Sequence, residues 1–286
     1  MFWRVVAVEQ AKIFRRALLW IELAVLVLLV FGMYGLLFIA MQTGLATSTD
    51  GPGAVQAQLQ QLLTWPEGPR TALSPAGGNG LGGLLVIVLA GAVAGQEYTW
   101  RTLHLAVSHG IPRGTLAAAR WMALVLPALL FTLTPLLAGA VITAINTVAS
   151  GGRLDWVGLN IGRLALSALA TAVSLLPYLS LALMLAVLTR STVAAIGAAL
   201  GYALLVEGIA LQLLQLLGGR LAQVAAYVPG GLAAGLLGAG SSLQVNGQAL
   251  GPAYLAPGPA LIGIALYTLG FLAVAAWVFR RQDLTG

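Results

Sequence analysis

The sequence predicts an all-α, polytopic membrane protein with six transmembrane helices, and three observations carry that reading. Of 286 residues 59% are hydrophobic and only 8% charged, with a mean hydropathy of +0.95, whereas a soluble domain carries roughly a quarter charged residues. The apolar residues fall into runs near 17–41, 81–96, 117–147, 161–188, 192–217 and 258–279, and crossing the hydrocarbon core takes about 20 residues of helix. Cations gather in alternate connections between those runs, the asymmetry that decides how a multi-pass chain is threaded.

Residues 1–16 open the chain as an amphipathic helix. Arg4, Glu9, Lys12, Arg15 and Arg16 share one arc of a helical wheel, and Phe2, Trp3, Val6, Ile13 and Phe14 share the other. Such a segment lies along the inner membrane surface and turns into the first span; the alternative is an extended cytosolic end of that span. A cleaved signal peptide is not expected, because charge recurs up to Arg16 and the run that follows is long enough to remain as a span. Glu22 reads as a boundary residue pairing back to the basic elbow. Beyond the first span, Thr47 to Gly53 and Trp65 to Arg70 carry turn signals around a Gln-rich amphipathic piece, which reads as an outer loop with one surface helix.

The second span is short as a run and is expected to begin nearer Leu73, its outer end loosened by Gly77, Gly78, Gly80, Gly82 and Gly83. Gly91 and Gly95 in this span, and Gly197 and Gly201 in the fifth, have the spacing that lets helix backbones approach closely, although a chain rich in Gly and Ala produces it by chance as well. Pro127 and Pro135 in the third span and Pro177 in the fourth each remove a backbone donor and invite a kink. Residues 218–257 turn Gly-, Pro- and Ser-rich before the last span and read as an outer segment that dips into or lies on the membrane.

Placing both termini inside puts Arg4, Lys12, Arg15, Arg16, Arg101, Arg113, Arg120, Arg190, Arg280 and Arg281 in the cytoplasm and leaves Arg70, Arg153, Arg163 and Arg220 outside. The expected location is therefore the cytoplasmic (inner) membrane, with 1–286 as a single transmembrane domain. The formal charge of +6 then serves orientation and contact with lipid headgroups and gives no argument for nucleic acid. Lys12 is the only lysine and no glycine-rich loop precedes it, so a phosphate-binding P-loop is excluded. There is no cysteine, and His104 and His109 lie on different helix faces, so no metal site is expected. No Gly-x-Ser-x-Gly elbow accompanies them, and no catalytic residue is assigned.

The most informative stretch is a polar island between the second and third runs, Gly95 to Leu103 continuing through Ser108 to Arg113. As a helix over 97–109 it would gather Trp100, Leu103 and Val107 on one apolar face suited to a groove on a soluble partner, flanked by Glu97, Arg101 and Ser108. Gly110 and Pro112 would end it and return the chain to the membrane. The plainer alternative is an i,i+4 surface pair between Glu97 and Arg101, with Tyr98 and Trp100 as headgroup anchors.

At this island the sequence resembles the ABC-2 type permeases, the membrane subunits of one class of ATP-binding cassette exporters. Their inner connection commonly runs Glu-Tyr-x-Trp-Gly-Thr, then an Arg-Gly pair, then an Arg and a further basic residue. Here Glu97, Tyr98, Trp100, Thr102, Gly110, Arg113 and Arg120 occupy those places. Arg101, His109 and Arg120 depart from the usual glycine, arginine and lysine. The elbow helix, six spans and long outer segment before span six match the family's type V exporter-like layout. The resemblance implies a dimer, of two copies or with a paralogue, bound to separate cytosolic ATP-binding cassette ATPase subunits. ATP and Mg would then sit on those partners, with no cofactor in this chain. It also implies that Glu97, Tyr98, Trp100, Arg101, Leu103, Val107 and Arg113 couple the permease to them.

Glu207 lies well inside the fifth span, where an ionised side chain costs several kcal/mol unless paired, protonated or facing water. It reads equally as part of a substrate path, as a neutral acid bonded to a neighbouring helix, or as a carboxylate reached by Arg163. An ion-coupled secondary transporter or channel using Glu207 is the main rival; it should show paired broken helices and inverted repeats, and no convincing internal repeat is visible. An intramembrane enzyme would need clustered polar groups, and Ser167, Thr171, Ser174 and Ser180 are too diffuse. A membrane assembly or sensing subunit that transports nothing is the remaining alternative.

Overall fold

Helices satisfy their own peptide groups, which hydrocarbon cannot do for them, and the chain is almost wholly helical wherever the computed structural model describes it. The described residues are 2–43, 62–99, 112–156, 158–210, 213, 223–238, 244–245, 248–249 and 255–282; for Glu97, Thr99, Arg113, Ala210, 244–245 and 248–249 this extends to the backbone only. The helices are α1 (Phe2–Phe14), α2 (Ala17–Gln42), α3 (Gly68–Thr71), α4 (Leu81–Thr99) and α5 (Arg113–Ala149). They continue with α6 (Ile161–Thr189), α7 (Thr192–Gly201), α8 (Pro229–Leu236) and α9 (Pro257–Arg281). A 3-10 turn, Ser74–Ala76, links α3 to α4, and α7 runs on as a π-helical segment, Tyr202–Ala210. Within the 218–257 stretch β1 (Gln244–Val245) pairs antiparallel with β2 (Gln248–Ala249). The Gln-rich piece, 55–61, lies outside the described residues.

Five helices are long and apolar enough to cross a membrane, and a sixth span forms if Gly68–Ala76 and Leu81–Gln96, bent by 46°, are taken together. The sharp break is therefore at Gly77–Gly80, in the glycine-loosened second span. The prolines behave otherwise: α5 continues through Pro127 and Pro135, and α6 through Pro177. At 37 residues α5 is about 55 Å long and projects beyond a hydrocarbon core of about 30 Å.

α6 is the hub, packing against α4, α5, α7, α8 and α9. Its most apolar 18-residue window is 72% buried, against 11% for Thr192–Ile209, so α7 and its extension form an outer wall. Asn160 caps α6 by accepting from Arg163 N–H at 2.9 Å, and Ser191 caps α7 by accepting from Ala194 N–H at 3.4 Å. Arg190, at φ 54°, makes the left-handed turn between the two helices. Gly91 and Gly95 form the contact of α4 with α7: a Cβ would come 2.6 Å from Ile196 Cγ1 at Gly91, and 2.5 Å from Thr192 Cα at Gly95. Gly197 and Gly201 have open space where a Cβ would stand, so the matching pattern in the fifth span packs against none of the described residues.

The two charged residues near the elbow depart from expectation. Glu9 is buried with Val6 and Ile13 on the face of α1 that packs on α5, where it accepts from Lys12 Nζ at 2.8 Å. Glu22 lies on the buried stripe of α2 with Leu19, Leu23 and Leu26, and neither of its carboxylate oxygens has a hydrogen-bond partner. It does not pair back to the elbow, because Lys12 is bound to Glu9 and Arg16 donates to Ala92 O at 3.5 Å. Desolvation draws the Arg16 guanidinium below its ordinary pKa, and the Glu9 charge opposes that shift.

Gly95→Val should lower the stability of the purified chain by about 1–3 kcal/mol through overpacking against Thr192. Gly197→Val should leave its thermal unfolding within about 0.5 kcal/mol of the parent. Equal melting of both variants in detergent would contradict the packing assigned to α4 and α7.

Candidate functional site

The polar island enters the described structure only at its shoulders. Trp100, Arg101, Leu103 and Val107 lie outside the described residues, and Glu97 and Arg113 are described in backbone alone. Tyr98, near the end of α4, donates its hydroxyl to Gln282 Oε1 at 3.2 Å, and Gln282 donates through Nε2 to Val187 O at 2.7 Å. One chain of bonds thus joins α4 to the ends of α9 and α6. On the other shoulder a Cβ at Gly114 would meet Arg280 Nη2 at 3.5 Å. Arg120, 7% exposed, lies among Ala94, Tyr98, Leu183, Val187, Ala275 and Phe279, with Glu9 as the carboxylate whose charge acts on it. Gln282 was not singled out from the sequence; its signal was a polar side chain directly after Arg280 and Arg281.

Glu207 sits far from this end. Its partner Tyr178 is about 16 Å along α6 from Thr189. Tyr178 donates its hydroxyl to Glu207 Oε2, and the Tyr202 hydroxyl and Gly230 N–H approach the same carboxylate. Arg163, which the sequence offered as a partner, is exposed near the start of α6. In an α-helix Tyr202 and Glu207 would stand about 140° apart; the π-helical segment, with its i to i+5 repeat, brings both to one face. Glu207 Oε1 is buried and has no hydrogen-bond partner among the described residues.

Tyr178, Glu207 and Gly230 line a cavity of about 430 Å³ between the break in the second span, α6, the π-helical segment and α8. Asn79, at the break, lines this cavity and two neighbours of about 470 Å³ and 170 Å³. The break is held by α6. Ser167, Thr171, Ser174 and Tyr178 recur on one face of that helix at helical spacing. Ser174 Oγ accepts from Gly78 N–H at 2.9 Å, and Ser167 Oγ accepts from Arg70 Nε at 3.1 Å. Two of the hydroxyls that look diffuse in sequence, Ser167 and Ser174, therefore fasten the segment around the break. Among the described residues no group of three or more acidic, His or Cys side chains could hold a metal ion.

A model of the family described as ABC-2 family transporter protein matches residues 3–284. No curated protein matches the chain.

Ser174→Ala leaves the Gly78 N–H without its acceptor in a buried place, a loss of about 1–3 kcal/mol. Hydrogen exchange read by mass spectrometry should rise in peptides covering 74–84 and stay unchanged in α9. Unaltered exchange at 74–84 would show that Ser174 does not fasten the break.

Proposed function

The chain belongs to the ABC-2 family of transporter proteins, and from that premise we propose that it is the permease subunit of an ATP-binding cassette exporter. The family makes it a multi-pass membrane component of a transporter that works with an ATP-binding cassette subunit. In our reading the partner holds ATP and Mg, and its closure acts on the connection through Glu97, Tyr98, Trp100, Arg101, Leu103, Val107 and Arg113. The exporter lies in the inner membrane with both termini cytoplasmic, its elbow helix against lipid, and pairs with a second copy or a paralogue.

The observation that carries this reading is that α4 joins the two candidate regions. One end bears Tyr98, bonded to Gln282; the other supplies Leu81 and Leu84 to the Glu207 cavity beside the break. At 19 residues the helix is about 28 Å long, long enough to carry a displacement at the island to mid-membrane depth. The Tyr98–Gln282–Val187 bonds would share such a push with α9 and α6, so that the cavity walls move together. This is alternating access with the break as its compliant point.

A second reading, ion-coupled transport centred on Glu207, is favoured by the broken span beside a buried acid.

The discriminating experiment is affinity purification of the tagged chain in mild detergent with mass spectrometry of co-purifying soluble proteins. An ATPase containing a P-loop should accompany the parent chain and be lost on combined Glu97→Ala and Trp100→Ala substitution. Retention of the ATPase with its substrate response intact would refute the coupling role. A chain that comes down alone and is active in liposomes without ATP would establish the ion-coupled reading instead.

A further inference from the structure

We infer that the cavity beneath the break in the second span is a binding site for an organic ammonium group carried on an apolar body, with Glu207 as its counter-ion and Tyr178 and Tyr202 beside it. The assignment rests on the permease reading for its role in transport, though binding can be measured without it.

Four observations lead there. First, size: about 430 Å³ is within the usual range of small-molecule sites, about 300–1,000 Å³. Second, charge: among the described lining residues Glu207 is the one acid, and no Lys, Arg or His is present. An anion would be repelled there, and no described lining residue offsets that repulsion. Third, hydrogen bonding: Tyr178 donates to Oε2, with the Tyr202 hydroxyl and Gly230 N–H close to the carboxylate, while the buried Oε1 has no hydrogen-bond partner among the described residues. A carboxylate oxygen accepts and does not donate, so the group it lacks is a donor, and an N–H of an ammonium supplies both the proton and the opposite charge. Fourth, the walls: Leu81, Leu84 and Leu204, with Ala203 and Ala234, offer only apolar contact, and Leu204 is 48% exposed on the outer wall. An apolar body can therefore extend from the site towards lipid.

A divalent metal fits poorly, since it needs several hard oxygen ligands and a single carboxylate lines the cavity. A carboxylate beside the Tyr178 ring suits an organic cation better, because aromatic rings attract ammonium groups. The adjoining cavity of about 170 Å³ has the opposite sign: Arg70 lines it with Ser74, Ser167 and Thr171. A cation is thus directed to the Glu207 side of Asn79.

The test uses the full chain in phosphatidylcholine nanodiscs, titrated calorimetrically with hexylammonium, hexanol and hexanoate, three ligands with the same tail and different heads. Hexylammonium should bind saturably and at least about tenfold more tightly than hexanol, with no binding of hexanoate. Glu207→Gln should erase that preference, and Glu22→Gln, which removes a buried acid elsewhere, should keep it. If Glu207→Gln does not fold, Gly230→Ala serves, because its methyl would lie 2.7 Å from Glu207 Oε2 and 3.3 Å from the Tyr178 hydroxyl; the same loss of preference is expected. Equal binding of hexylammonium and hexanol to the parent chain, or a preference that survives Glu207→Gln, overturns the inference. A co-purifying ATPase together with no ammonium preference would leave the permease and remove this site. Ammonium preference without any ATPase would do the reverse.

Discussion

A peptide N–H without a partner costs several kcal/mol in hydrocarbon, and the organisation of this protein follows from how the second span avoids that cost at its break. The helix stops at Gly77–Gly80 and α4 begins at Leu81, so donors are freed among membrane-spanning helices. Gly78 N–H finds Ser174 Oγ, and the missing side chain at Gly78 lets the loop press against the backbone and ring of α6 at Ser174 and Tyr178. Irregular backbone is tolerated at depth only where protein covers it; α6, buried on nearly all sides, is the covering element. The space left beside the loop is the cavity that Glu207 enters.

The far end of α4 is fastened by different physics. Tyr98, Gln282 and Val187 form neutral hydrogen bonds between three helix ends, while Glu9 brings a buried carboxylate from the elbow helix into the field of Arg16 and Arg120. The α1–α2 corner is pinned in addition by Arg16 to Ala92 O. Both shoulders of the polar island are thus anchored in the bundle, which gives a force on the connection a defined route into α4, α6 and α9. Trp65 and Trp156, edge to face at 4.9 Å, sit at the opposite end with Trp65 Nε1 bonded to Asp155 O. Arg281 stacks over Trp277 at 4.3 Å at the basic end. Such aromatic pairs belong at the two headgroup layers.

Much of the fold was legible in order along the chain, because span length and hydrophobicity are properties of short windows. The runs at 161–188 and 258–279 correspond to α6 and α9 to within a few residues, and the glycines at 77–83 marked the loosened span. What failed was the assignment of polar partners. Glu22 was given to the elbow and is buried without a hydrogen-bond partner among the described residues, and Glu9 was given to the charged arc and packs on α5; for Glu207 a bond to a neighbouring helix stood beside Arg163 as an alternative, and Tyr178 of α6 supplies that bond. Each error has one cause: composition says that a polar group is at membrane depth, and only helix rotation says what it meets.

The sequence by itself determined the membrane class, the spans and their approximate ends, the amphipathic elbow and the family, since these depend on local composition and on one short polar motif. Tertiary structure alone decided that Tyr178, Tyr202 and Glu207 share a site, that Ser167, Thr171 and Ser174 form one stripe with Tyr178 while Ser180 meets Trp121, and that Gly91 and Gly95 make a contact while Gly197 and Gly201 meet none of the described residues. The physical reason is angular. A π-helical segment and a broken span reset which residues face one another, and a 3.6-residue period carried through the π-helical segment would point Tyr202 and Glu207 apart.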